Sequence, residues 1–162
     1  MAKKARQRAT SAYNFLNQKI DRLDWDGEWL RTFGNPPKNG IWYIGGHSGS
    51  GKTSFVVQLM KVLADMGMRI RFYNFEEGEG STSLQETCLR EGIQETGSKV
   101  QFVNDFIPYS EVKAELETLR IQAAVIDSRK ELGLTAKQIL EMKRDFPGML
   151  IIIICHVLPN GM

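Results

Sequence analysis

The 162 residues are 42% hydrophobic and 25% charged, a globular balance that suits one domain with a sizeable core. Cys88 and Cys155 are too few for a disulfide framework, and with two scattered histidines they give no zinc-site spacing; each cysteine sits in an apolar pattern and is expected as a buried thiol. The net charge of +2 is unevenly spread, with six Lys/Arg against one Asp in residues 1–22 and fifteen against eighteen in the rest.

Taken in order, residues 1–22 suggest a short helix carrying Tyr13, Phe15, Leu16 and Ile20, preceded by the basic residues Lys3, Lys4, Arg6 and Arg8. Those four read either as a solvated tail or as a contact to nucleic-acid phosphates. Residues 23–40 read as irregular, ending in the turn-rich run Gly34 to Gly40. Ile41–Ile44 is a short β-prone strand. After a Gly/Ser-rich loop, Phe55, Val56, Leu59, Met60, Val62, Leu63 and Met66 recur at helical spacing, and Gly67 closes that helix in a left-handed cap. Arg69–Phe75 is a second strand, broken by Glu76-Glu77-Gly78-Glu79-Gly80. Ser83–Glu91 is a helix opened by a Ser-x-x-Glu capping box and stopped at Gly92.

Val100–Val103 gives a third strand, and Ser110 caps a helix with Val112, Leu116 and Leu119 on one face. Ala123–Ile126 is a fourth strand ending at Asp127. Thr135 and Gln138 cap a helix that turns Ile139, Met142 and Phe146 inward, and Leu150–Cys155 is the fifth strand. Continuous apolar strands, rather than alternating ones, imply a parallel sheet buried on both faces. With helices between them, the expected fold is an α/β three-layer sandwich with a mainly parallel sheet. The longest apolar run, Met149 to Cys155, is too short to span a bilayer, and the basic start lacks the apolar stretch of a secretory signal; a cytoplasmic setting without membrane contact is the expectation.

The loop between the first strand and its helix carries the chemistry. Gly46-His47-Ser48-Gly49-Ser50-Gly51-Lys52-Thr53 fits the phosphate-binding pattern of Gly, four free positions and Gly-Lys-Thr. Glycines let successive N–H groups face a triphosphate, Lys52 would reach its outer phosphates, and the Thr53 hydroxyl would hold Mg²⁺. With Ser54, this loop is the expected nucleotide-binding segment. Three further polar groups close predicted strands, where open α/β sheets bind ligands. Asp127 is a candidate Mg²⁺ carboxylate, or else a helix-capping Asp. Glu76, chosen from Glu76, Glu77 and Glu79, is a candidate base for an attacking water, the alternative being a solvated acidic turn. His156 either senses the terminal phosphate or is a hydrogen-bonded buried histidine. His47 occupies a free position of the loop and is expected exposed or packing.

In this order the pieces resemble the RecA/RadA family of P-loop ATPases over about residues 40–160. Gly46–Thr53 resembles its first nucleotide motif, Asn74-Phe75-Glu76-Glu77 the strand ending in the catalytic Glu, and Ala124–Ser128 the second motif. Ile154-Cys155-His156-Val157 with Asn160-Gly161 is similar to the sensor strand and turn, and Gly34-Asn35-Pro36 to a lead-in shared by bacterial and phage members. The resemblance implies strand order 3-2-4-5-1, ATP and Mg²⁺ as ligands, catalytic roles for Glu76, Lys52 and His156, and a homo-oligomer acting on single-stranded or branched DNA in recombination, repair or replication. It divides the chain into a lead-in, 1–39, and a core, 40–162. The family continues beyond the sensor position with further strands and a DNA-binding loop, so a core cut short after His156 is expected, with Ile41–Ile44 as an exposed apolar edge. Two other readings stand beside the ATPase: a nucleotide-binding assembly module without hydrolysis, and a small-molecule kinase for which Arg129-Lys130 is the only lid candidate.

Overall fold

The computed structural model describes residues 9–76, 80, 82–127, 130 and 132–156. The expectations resting on Lys3, Lys4, Arg6, Arg8, Glu77, Glu79, Ser128, Arg129, Val157, Asn160 and Gly161 lie outside those residues.

Five strands form one sheet: β1 (Gly40–Gly46), β2 (Ile70–Asn74), β3 (Val100–Val103), β4 (Ala123–Asp127) and β5 (Leu150–His156). Their order is β1-β5-β4-β2-β3, which is 3-2-4-5-1 read from the other edge, and every pairing is parallel. A parallel pair needs a crossover, and the sequence supplies helices. These are α3 (Lys52–Asp65) after β1, α4 (Thr82–Glu91) and a 3₁₀ turn (Ile93–Lys99) after β2, α5 (Tyr109–Thr118) after β3, and α6 (Ala136–Asp145) after β4. Two shorter helices precede β1: α1 (Ala12–Leu16) and α2 (Gly27–Phe33).

The strand sequences explain the three layers. Leu150, Ile152 and Ile154 of β5 pack with Val56, Leu59, Met60 and Leu63 of α3, while Ile151 and Ile153 pack with Val112 and Leu116 of α5 and Ile139 and Met142 of α6. Side chains alternate faces along a strand, so an unbroken Ile run has an apolar partner on both sides. The α/β sandwich expected from the apolar runs is the architecture observed.

The helix ends show where local signals governed and where they did not. Gly67, at φ 87°, closes α3: its N–H donates to Ala64 and that of Met68 to Leu63, the paired bonds of a Schellman cap. Thr135 and Gln138 form a full reciprocal capping box on α6. Ser83 does not cap α4, which begins one residue earlier at Thr82, and Ser110 lies within the first turn of α5, whose N-cap is Pro108. Leu119 falls just past α5 and is exposed. The thiols of Cys88 and Cys155 are free but only half-buried, and burial pushes the Cys88 thiol up to about 11.

The largest departure from the sequence reading is in residues 23–40. Leu23 and Trp25 are buried in the core, and α2 follows them. Trp25, Trp29 and Phe33 join Trp42 of β1 and Phe55 of α3, with ring centroids 5.4–6.3 Å apart. The Trp25 indole N–H donates to the Gly34 carbonyl, and the Leu23 N–H to Pro36 at 2.8 Å, so the turn-rich run folds back on the segment before α2. By contrast, α1 buries nothing, and Tyr13, Phe15, Leu16 and Ile20 are exposed. Among the described residues β1 is an edge of the sheet, with Tyr43 exposed and Ile41, Trp42 and Ile44 partly covered.

Burial of Trp25 makes residues 23–33 part of the folding unit. Trp25→Ala should cost about 3–5 kcal/mol of stability, the range for deleting a large buried aromatic. Urea unfolding followed by far-UV circular dichroism measures this, and a change below about 1 kcal/mol would show that the segment merely rests on the core.

Candidate functional site

All five strands point the same way, so the last residues of β1, β2, β4 and β5 lie at one end of the sheet. Pairing register then fixes who meets whom. Gly46, the first residue of the loop, lies opposite His156, and Asn74 lies opposite Asp127. Beyond β2 the chain crosses the end of β4: the N–H groups of Phe75 and Glu76 both donate to the Asp127 carbonyl, at 2.6 and 3.1 Å. The crossing carries the Glu76 side chain to β5, where its Oε2 lies 2.7 Å from His156 Nε2. Glu76 and His156, eighty residues apart in sequence, form one acid–imidazole pair, with side chains 35% and 29% exposed.

The loop wraps the start of α3. Gly49 and Gly51 take φ values of 73° and 83°, which only glycine adopts without strain. Gly51 is the N-cap and has no side chain to offer, so the first-turn N–H groups of α3 are not capped by a side chain. They join the positive end of the helix dipole in favouring an anion. Lys52 donates its ammonium to the carbonyls of Gly46, at 3.1 Å, and His47, at 2.8 Å. An ammonium has three donors, so this anchoring fixes the charge at the loop and leaves one N–H for a ligand. Gly46 is constrained by space: a Cβ there would come 2.6 Å from Ser50 Oγ and 3.6 Å from the Lys52 side chain.

A cavity of about 310 Å³ gathers Ser48 to Ser54, Glu76, Asp127 and His156. Gly46 and His47 form the base of the loop rather than the cavity wall; His47 is exposed and contributes its carbonyl. Ser54 lines the cavity, and its hydroxyl accepts a hydrogen bond from Arg90 of α4 at 2.8 Å. The sequence reading missed the contribution of α4, whose Ser83 and Thr87 complete the wall. Their spacing of four residues puts both on one helix face, a signal obscured by reading Ser83 as a cap.

Chemically, the arrangement offers one fixed cation, a row of backbone donors, several hydroxyls and two carboxylates. Thr53 and Asp127 are oxygen donors of the kind Mg²⁺ takes, and the glycine-lined loop is a cradle that a Cβ at Gly46 would crowd; the residues fit a magnesium-bound triphosphate.

The molecule so defined is an α/β protein with an all-parallel five-stranded sheet, helices on both faces and a polar cavity at the C-terminal ends of its strands. Compared with protein-family models and with curated proteins, the chain matches none. Among the described residues no helix is long and apolar enough to cross a membrane.

The crowding at Gly46 can be tested without a ligand. Gly46→Ala should lower stability by about 1–3 kcal/mol, the cost of overpacking a tight site. Adding Ser50→Ala removes the clashing hydroxyl and should restore at least half of that loss. Thermal unfolding of the two single variants and the double variant measures the coupling, and strict additivity would contradict it.

Proposed function

We propose that this chain is a RecA-like P-loop nucleoside triphosphatase that binds Mg-ATP and hydrolyses it, working as an oligomer on DNA. The observation that carries the reading is the convergence of Lys52, Thr53, Glu76, Asp127 and His156 on one cavity at the strand ends. A binding loop alone would serve any nucleotide protein. A carboxylate held across the cavity from that loop suits the activation of water.

In this reading the α3 N-terminus and Lys52 hold the β- and γ-phosphates of the substrate. The Thr53 hydroxyl and Asp127 would hold Mg²⁺, which would supply charge neutralisation at the phosphates. Glu76 accepts a proton from the attacking water as its oxygen bonds to the γ-phosphorus, and the bond to the ADP oxygen breaks. His156 positions Glu76 through the Nε2–Oε2 contact, so it serves the carboxylate first and senses the phosphate through it. The DNA substrate and the oligomer rest on the family resemblance of the motifs.

Lys52→Ala should abolish binding of a fluorescent ATP analogue. Glu76→Gln should keep that binding and lower ATP turnover at least about 100-fold, the lower range for a general base. Turnover is read as phosphate release with and without single-stranded DNA. Unchanged turnover in Glu76→Gln would remove its assigned role, and wild-type binding without turnover would leave a nucleotide-dependent assembly module. Phosphoryl transfer to a nucleoside or sugar acceptor would replace the ATPase with a kinase.

A further inference from the structure

The end of the sheet opposite the loop holds a second and larger concavity, of about 520 Å³, beneath the first residues of β2 and β3. Three connections form it: the α3–β2 turn gives Arg69, the end of the 3₁₀ turn before β3 gives Lys99, and the α5–β4 turn gives Arg120. Arg71 lies deeper, its Nε 3.8 Å from Glu115. Lys99 donates to the Ala64 carbonyl, a neutral partner, at 3.0 Å. Among the described residues, the Arg69 and Arg120 side chains make no hydrogen bond or ion pair, and no Asp or Glu lines the cleft.

Arg69, Lys99 and Arg120 place three exposed positive charges around one hollow, Arg71 being offset by Glu115, and a polyanion seated there is attracted by them. The rest of the lining decides which polyanion. Ser98 and Gln101 offer hydrogen bonds to phosphate and sugar, and Leu119 and Ile121 offer apolar contact. A hollow between loops admits a single strand more readily than a duplex. With no aromatic wall it gives no stacking platform, so binding follows the backbone and tolerates sequence.

We infer that this cleft is a binding site for the phosphates of a single-stranded nucleic acid. It lies across the sheet from the ends of β4 and β5, where the family resemblance puts DNA contacts. The two sites are separated by the length of β2, about 15 Å at strand rise. The inference does not require ATP hydrolysis, and its failure would leave the ATPase reading standing.

The test compares full-length wild type with Arg69→Glu/Arg120→Glu, and with Arg69→Gln/Arg120→Gln should charge reversal impair folding. A fluorescein-labelled oligothymidylate is titrated by anisotropy from about 50 to 200 mM salt, where phosphate neutralisation registers most strongly. The expected result is at least about a tenfold loss of affinity and a salt slope shallower by about 1.4, roughly 0.7 for each phosphate that no longer meets an arginine. Binding of a fluorescent ATP analogue should be unchanged. A control reversal on the exposed face of α6, Lys137→Glu/Lys143→Glu, should alter affinity less than threefold. Equal affinity in wild type and cleft variants would overturn the inference, as would an equal loss in the α6 control. Tighter binding to a duplex or to phosphatidylserine vesicles than to the oligothymidylate would overturn it too.

Discussion

The rest of the structure depends on burying both faces of β4 and β5. Neither strand has a solvent side, so each needs an apolar layer above and below. Only crossover helices on both faces supply two such layers. Crossovers keep the strands parallel, and parallel strands bring their ends together. The polar cavity is therefore a product of hydrophobic patterning as much as of the polar residues in it. The last residues of β1, β2, β4 and β5 share one end of the sheet, and register decides their neighbours.

That logic explains why so much was legible in the sequence. The Ile run of β5, the apolar stripe of α3 and the glycine spacing of the loop are strong, short-range signals. Asp127 and His156 close strands and Glu76 follows one by two residues, where the pattern changes from apolar to polar, while Lys52 and Thr53 open α3 within the glycine-spaced motif. What was not legible was made by contacts distant in sequence. Helix α2 carries Trp29 and Phe33 four residues apart on one face, but the stripe is only two turns long, and its partners Trp42 and Phe55 lie elsewhere in the sequence. Ser83 and Ser110 satisfied a local capping rule that competed with neighbouring choices one or two residues away. The contact of Glu76 with His156 had no local signal, because it exists only once β2 is threaded over the end of β4.

The threading matters chemically. Glu76 takes its backbone position from β4, through the Asp127 carbonyl, and its side-chain direction from β5, through His156. A carboxylate held from two strands has little conformational freedom, so its position is set before anything binds. Arg90 ties Ser54 to α4, linking the loop's helix to the cavity wall.

The aromatic cluster has a consequence of a different kind. The chain has three tryptophans, and all of them lie in it, against Phe55, two residues past Thr53. Indole emission from this protein therefore has one structural address, the joint between the lead-in and the first turn of α3. Any rearrangement that shifts that turn alters the light the native chain emits, with no label and no substitution.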